Sequence, residues 1–471
     1  LAGNNSYILD KKTGEKLALT DPRVRVVWPS MGDLTTEAMA TVVQGLGFHA
    51  EYLPVADHQT TQLARAVSSG KECIPTLLVL GQILKLLTTK APKEGEVLAI
   101  IVPKTTGPCR TGQYGPFYEG TLVELGIDNV TIVSISSDNG YKELGPDFTR
   151  LAWYAVVLGD FFKDIQTALE ILAVDREQAM TEFHAAWRDI VDTMRDDVDN
   201  IYKAVKRAGK RLSAIKTRGH VDELPKTLIV GEIYVRRDDF SVQELLDHLT
   251  RNGIFGKITG LSEWVHYCDY SQAHRLWNHI GPKPWYKRPF ATGFAEWVGV
   301  KLTSQVEKAI EDRIRDILLP TGLLPTYPHD MQAIMSGVNR FTHADFETEA
   351  TVSTLVATQA VQDGYDGIVA IAPFACLPGR LIRAMLEPYS RKRNIPFIAL
   401  ENDGLAYPPS TLSRLEVFML NVLRRAENRK FGKADERING FFPVELATPA
   451  TPSNTGPLDA VKLRRKREER N

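Results

Sequence analysis

Val97-Leu98-Ala99-Ile100-Ile101-Val102-Pro103 is the stretch on which the fold turns. It carries no charge and does not alternate apolar with polar residues, as a half-exposed strand would. A short, continuous apolar run bounded by turn residues predicts a parallel strand covered on both faces. Working outward, Val24-Arg25-Val26-Val27-Trp28-Pro29 reads as a strand and residues 35–46 as a helix stopped by Gly45 and Gly47. Residues 48–53 read as a strand, 74–87 as a helix, 118–125 as a helix and 130–136 as a strand. Strands separated by helices of this length predict an open parallel α/β sheet.

The strand signals stop between 148 and 216. There, residues 161–172 and 176–209 carry apolar residues at helical spacing, with Met180, Phe183, Trp187, Ile190, Val191 and Met194 on one stripe. A second α/β unit opens near Leu224-Pro225, with strands at 226–231, 368–372 and 396–400 and helices at 242–252, 380–392 and 411–426. The predicted class is α/β, with two open, doubly wound parallel-sheet lobes and helical material between and around them. The expected divisions are a first lobe at 1–147, a helical segment at 148–223, a second lobe at 224–446, and a linker with a basic tail at 447–471.

The 471 residues exceed one core, and 57 Lys+Arg against 58 Asp+Glu leave a net charge of −1. That balance argues against bulk nucleic-acid binding, which needs a basic face. There is no apolar run of 18 residues, so no membrane span is expected, and no signal peptide is legible. Four cysteines are too few for a disulfide scaffold, which predicts a reduced, cytoplasmic setting. Gly45-Leu46-Gly47-Phe48-His49-Ala50 fits a dinucleotide-binding pattern but follows a helix and precedes a strand, the reverse of what that motif requires. No Gly-x-x-x-x-Gly-Lys-Ser/Thr loop is present, so ATP chemistry is not expected of these residues.

Ligands of open α/β sheets sit beyond the carboxyl ends of the strands. Cys109 lies just past the strongest strand of the first lobe, and Cys376 just past that of the second. Cys73 precedes the helix that begins at Ile74-Pro75. Three of the four cysteines therefore fall at helix starts, where free backbone N–H groups favour a thiolate. Zinc sites usually show close Cys-x-x-Cys pairs, and none is present. Thiolates drawn from two lobes suit an iron–sulfur cluster better, although spacing alone leaves inert structural thiols open.

The words around these cysteines add more. Gly70-Lys71-Glu72-Cys73-Ile74-Pro75, Gly107-Pro108-Cys109-Arg110-Thr111-Gly112-Gln113-Tyr114 and Pro373-Phe374-Ala375-Cys376-Leu377-Pro378-Gly379 resemble the cysteine motifs of the 2-hydroxyacyl-CoA dehydratase and double-cubane cluster superfamily. The resemblance is strongest to its large acyl-CoA dehydratase activase-related members. Gly231-Glu232-Ile233-Tyr234-Val235-Arg236, Gly364-Tyr365-Asp366-Gly367-Ile368-Val369 and Ser413-Arg414-Leu415-Glu416-Val417-Phe418 support it, spreading the likeness over residues 70–425. The resemblance implies a [4Fe–4S] cluster on Cys73, Cys109 and Cys376 with one iron left without a thiolate. It also implies an ATP-dependent activator with its own cluster, as a separate chain or fused upstream. A double-cubane cluster would need more thiols than one chain has, and so a homodimer or paired subunits.

The expected activity is low-potential reduction or radical dehydration of a small or CoA-linked substrate in an anaerobic setting. The alternatives are a non-enzymatic electron carrier or scaffold subunit, and a metal-free module. Around the thiols, Arg110, Glu72 and Gln113 are the candidate catalytic residues, with Tyr114 one turn further on. Glu72 reads first as a helix-start acid, and Arg110 equally as an ordinary salt-bridge residue. Cys268, read at the end of a strand among Trp264, Tyr267 and Tyr270, is either a fourth ligand or a packed thiol. His343, read as opening a helix, and Asp403, after the last strand, are the remaining proton-transfer candidates.

Overall fold

The structure is a computed structural model that describes residues 7–9, 13–105, 109–136, 146–327, 330–346 and 348–430. The expected linker and basic tail, and the Gly107-Pro108 pair, lie outside them. A short antiparallel pair, β1 (Tyr7–Leu9) and β2 (Lys16–Ala18), precedes the first lobe. That lobe runs β3 (Val24–Trp28), α1 (Asp33–Gly45), β4 (Ala50–Tyr52), α2 (His58–Ala66), α3 (Ile74–Thr89), β5 (Val97–Lys104), α4 (Tyr114–Glu124) and β6 (Val130–Ser136). Its strands are all parallel, in the order β4-β3-β5-β6. In β5, Leu98 to Val102 are all buried, as its uninterrupted apolar sequence predicted.

Helices α5 (Pro146–Leu172), α6 (Arg176–Asp196) and α7 (Ile201–Ser213) follow. The second lobe then repeats the plan of the first with longer insertions. It runs β7 (Lys226–Gly231), α8 (Ile233–Arg237), α9 (Asp239–Arg251), β8 (Phe255–Ile258), α10 (Leu261–Ile280), α11 (Phe294–Leu318), α12 (Met331–Met335), α13 (Glu349–Gln362), β9 (Gly367–Pro373), α14 (Leu377–Lys392), β10 (Phe397–Asn402) and α15 (Pro409–Lys430). Its parallel sheet has the order β10-β9-β7-β8. Counted within its own lobe, each sheet is ordered second, first, third, fourth strand. The fold is α/β with two doubly wound lobes, and each has a switch point between its first and third strands, where this topology opens a crevice.

The lobes share one core. Leu78, Ile100 and Tyr118 of the first pack into the same buried cluster as Ile229, Val369 and Ile398 of the second. Between them Tyr234 donates its hydroxyl proton to the Ser30 carbonyl at 2.9 Å, and the Ser30 N–H donates to Gln82 Oε1 at 2.7 Å. Helix α5 is the spine. Its Asp160 accepts the N–H groups of Leu261 and Ser262, capping α10 from another helix, and pairs with Arg237 at 3.1 Å. One turn on, Lys163 meets Asp239 at 2.6 Å and Asp164 meets Lys257 at 2.7 Å. These are buried pairs, so each fixes the angle between spine and lobe at the cost of desolvating two charges. No helix among the described residues is long and apolar enough to cross a membrane.

Several elements differ from the sequence reading. Cys268 lies inside α10, not at a strand end. His343 sits in a loop before a short 3-10 turn, with 71% of its side chain exposed and its ring beside Asp345, and it does not open α13. The stretch read as one helix over 176–209 is two, broken at Asp197 by a 3-10 turn.

Candidate functional site

Cys73, Cys109 and Cys376 each stand at the cap position before a helical turn: α3, a 3-10 turn that leads into α4, and α14. All three have extended backbones, and none uses its side chain to cap the helix behind it, so each sulfur is left for another task. Pro75 and Pro378 enter the first turns of α3 and α14, where a missing N–H is harmless. Ala375, just before Cys376, has φ 58°, a left-handed conformation that costs a non-glycine residue about 1–3 kcal/mol and that marks functional loops. Behind it Gly379 is obligatory, since a Cβ there would stand 2.3 Å from Ala372 Cβ.

The two first-lobe loops are tied together, and a further bond crosses to the second lobe. Cys73 Sγ lies 2.7 Å from Tyr114 Oη and 3.2 Å from Thr76 Oγ1, while Cys109 Sγ lies 2.9 Å from Thr111 Oγ1. Arg110 Nη1 donates to the Lys71 carbonyl at 3.0 Å, joining the Cys109 loop to the Cys73 loop. Arg65 donates to the Asp403 carbonyl at 2.6 Å, joining the first lobe to the turn after β10. Cys73 and Cys376 are buried and Cys109 is half-buried.

Electrostatically these groups form one locus. Burial pushes the Cys376 thiol well up, and the charges of Glu232, Glu349 and Cys109 add to the shift. Burial also raises Cys109; Thr111 pulls it back, and Glu232 and Glu349 push it up again. Tyr114 is raised by burial first, then by Cys73, Glu232 and Cys109. At Cys109 and Cys376, burial among other acids thus works against the dipole of the helix starts. A positively charged group in the same space would reverse that balance, since an opposite charge at short range favours the ionised form.

Sequence reasoning missed the acids of the second lobe. Glu232 is the first residue past β7, at the switch point between β7 and β9, and its carboxylate accepts the Tyr234 and Val235 N–H groups at 3.1 and 2.9 Å. Arg236, 0% exposed, donates from Nη1 to Glu349 Oε1 at 2.7 Å and to the Gly231 carbonyl, and from Nε to the Thr259 carbonyl at 3.1 Å. Its Nη2 has no hydrogen-bond partner among the described residues. Glu349 is pushed up to about 8 by burial, against the pull of Arg236 and with the push of Glu232. The signal available was the word Gly231-Glu232-Ile233-Tyr234-Val235-Arg236 at a strand's carboxyl end, which the sequence reading used only as a resemblance.

The other candidates have plainer tasks. Glu72 accepts from the Ser69 hydroxyl and from the Ser69 and Lys71 N–H groups. Burial would raise its carboxyl, but these bonds and its own backbone N–H outweigh burial and hold it below the ordinary value. An ionised, loop-binding carboxylate is poorly suited to donate a proton. Asp403 accepts the Leu405 N–H at 3.1 Å in its turn. Gln113 ends the 3-10 turn before α4 and is exposed.

Beside Cys376 an open cavity of roughly 260 Å³ is lined by Gly231, Pro373, Gly379, Arg380 and Glu401, among others. Phe374, Leu377 and Leu405 stand exposed nearby, at 64%, 51% and 55%. Among the described residues, no three His, Cys, Asp or Glu side chains are grouped to hold a single metal ion. A cubane cluster takes one thiolate per iron, so its thiols need not be grouped around a single ion. A scan of protein-family models returns no match to this chain, and a search of curated proteins returns none either, so the functional reading rests on these residues and their geometry.

Proposed function

We propose that this chain is an iron–sulfur protein of the 2-hydroxyacyl-CoA dehydratase type, holding a [4Fe–4S] cluster through Cys73, Cys109 and Cys376. The observation that carries the reading is that three cysteines stand at helix starts in the two lobes, with the Cys73 and Cys109 loops joined through Tyr114 and Arg110, and Cys376 opening on a cavity that Gly231 also lines. When bound, such a cluster supplies one-electron reduction and, at an iron without a thiolate, a Lewis-acid position.

The residues around the thiols fit that group. With Cys73 as a thiolate, Tyr114 Oη and Thr76 Oγ1 are its hydrogen-bond donors, and Thr111 Oγ1 serves Cys109 in the same way. Hydrogen bonds to cluster sulfurs raise a cluster's potential and so ease its reduction. Arg110 holds the two first-lobe loops in register, and Gln113 borders the same turn. The reaction class is low-potential reduction or radical dehydration of a small or CoA-linked substrate, in a cytoplasmic, anaerobic setting. The electron would come from an ATP-dependent activator, separate or fused upstream, and the exposed Phe374 and Leu377 flanking Cys376 offer an apolar rim for a protein partner. A homodimer would bring two such sites together.

Serine in place of Cys73, Cys109 or Cys376 is expected to lower iron per chain to less than half of wild type after anaerobic purification. Cys268→Ser, altered within α10, is expected to keep its iron. Full iron in all three variants would contradict the assignment.

A further inference from the structure

Glu232 is a buried acid, 7% exposed, that forms no ion pair among the described residues. Its hydrogen-bond partners there are two backbone N–H groups of its own helix turn, those of Tyr234 and Val235. Arg236, the cation that acts on it, is instead paired with Glu349. Buried carboxylates are ordinarily paired or bound to metal.

Its position is tightly held. The Glu232 N–H donates to the Ile371 carbonyl at 2.9 Å, on the strand that leads to Cys376. Gly231 before it has φ 130°, and a Cβ there would lie 1.8 Å from the same carbonyl oxygen. Gly231 and Cys376 line one cavity. Two backbone donors leave the carboxylate with lone pairs to spare, since its two oxygens offer about four acceptor sites.

On the iron–sulfur reading given above, on which this step rests, we propose that Glu232 is the chain's fourth ligand. It is an oxygen donor to the iron that the three thiolates leave open, displaced when substrate binds there. The assignment explains why this acid stands at the switch point while the neighbouring Arg236 pairs with Glu349 instead.

The test is Mössbauer spectroscopy of anaerobically reconstituted wild type, Glu232→Gln and Glu232→Asp. The aspartate keeps the charge and the capping chemistry at the start of α8 but draws the carboxylate back, so it covers the case in which the glutamine variant does not fold. The expected result is an unchanged iron content with one of the four iron subsites altered in each variant, the other three staying as in wild type. Titration with a small thiol is expected to shift the spectrum of Glu232→Gln at roughly tenfold lower concentration than wild type. Four-iron spectra indistinguishable between wild type and both variants would overturn the ligand role and leave the cluster reading standing. No iron in wild type would overturn both.

Discussion

Gly231→Ala is expected to destabilise the protein by on the order of 2–6 kcal/mol. Two costs add. The φ of 130° is one that an L side chain rarely adopts, a strain of about 1–3 kcal/mol. The new Cβ would also meet the carbonyl oxygen, carbon and nitrogen of Ile371 at 1.8, 2.7 and 2.8 Å. All three are backbone atoms of a central strand and cannot turn aside, so overpacking adds roughly 1–3 kcal/mol. Against a typical total of about 5–15 kcal/mol this is a large share. Urea denaturation checks it, and a midpoint within error of wild type would show that β7 and β9 are not pressed together as described. The same strand shift would break the bond from the Glu232 N–H to Ile371, so residual folded protein is expected to bind iron poorly.

Asp164→Ala is expected to cost about 3–5 kcal/mol, because it strands the Lys257 ammonium in the interior. Both partners are nearly dry, with side chains 5% and 6% exposed, and the pair joins the spine helix to the edge strand β8 of the second lobe. Lys257 also lies over the Tyr327 ring at 4.8 Å, which has no acidic charge to replace the one removed. The double variant Asp164→Leu with Lys257→Met removes both charges and keeps the volume, so it is expected to recover most of the loss. Thermal melts of the two variants decide the point. A double variant as unstable as the single one would mean that the pair is needed for more than mutual neutralisation.

Much of the frame was legible because buried parallel strands write themselves as unbroken apolar runs. β6 and β7 were read to the residue, and β5 and β9 to within one residue at each end. β8 escaped because it has only Phe255-Gly256-Lys257-Ile258, in which a glycine and a buried lysine hide the apolar run. α10 was misread for a related reason. It buries Glu263, His266, Asp269 and Gln272, so its inward face is polar and its pattern looks nothing like an amphipathic helix. His266 bonds Glu311, and Glu263 accepts from Tyr327, which makes that polar face tenable.

The three cysteines were found because helix starts and proline positions are local features. Glu232, Arg236 and Glu349 were not found as a site because what joins them is tertiary: Glu349 reaches Arg236 from a distant helix, and only the sheet order sets Glu232 against the strand that leads to Cys376. A local dipole at the helix starts is likewise legible in sequence, whereas the burial among other acids that opposes it at Cys109 and Cys376 is not.

The central claim is that this locus holds an iron–sulfur cluster, and the most direct measurement is iron and acid-labile sulfide per chain after strictly anaerobic purification, with an EPR spectrum of the reduced protein. The account predicts about four of each, and a spectrum that changes when a small ligand is added. A colourless protein without iron or sulfide, taking up neither on reconstitution, would contradict it.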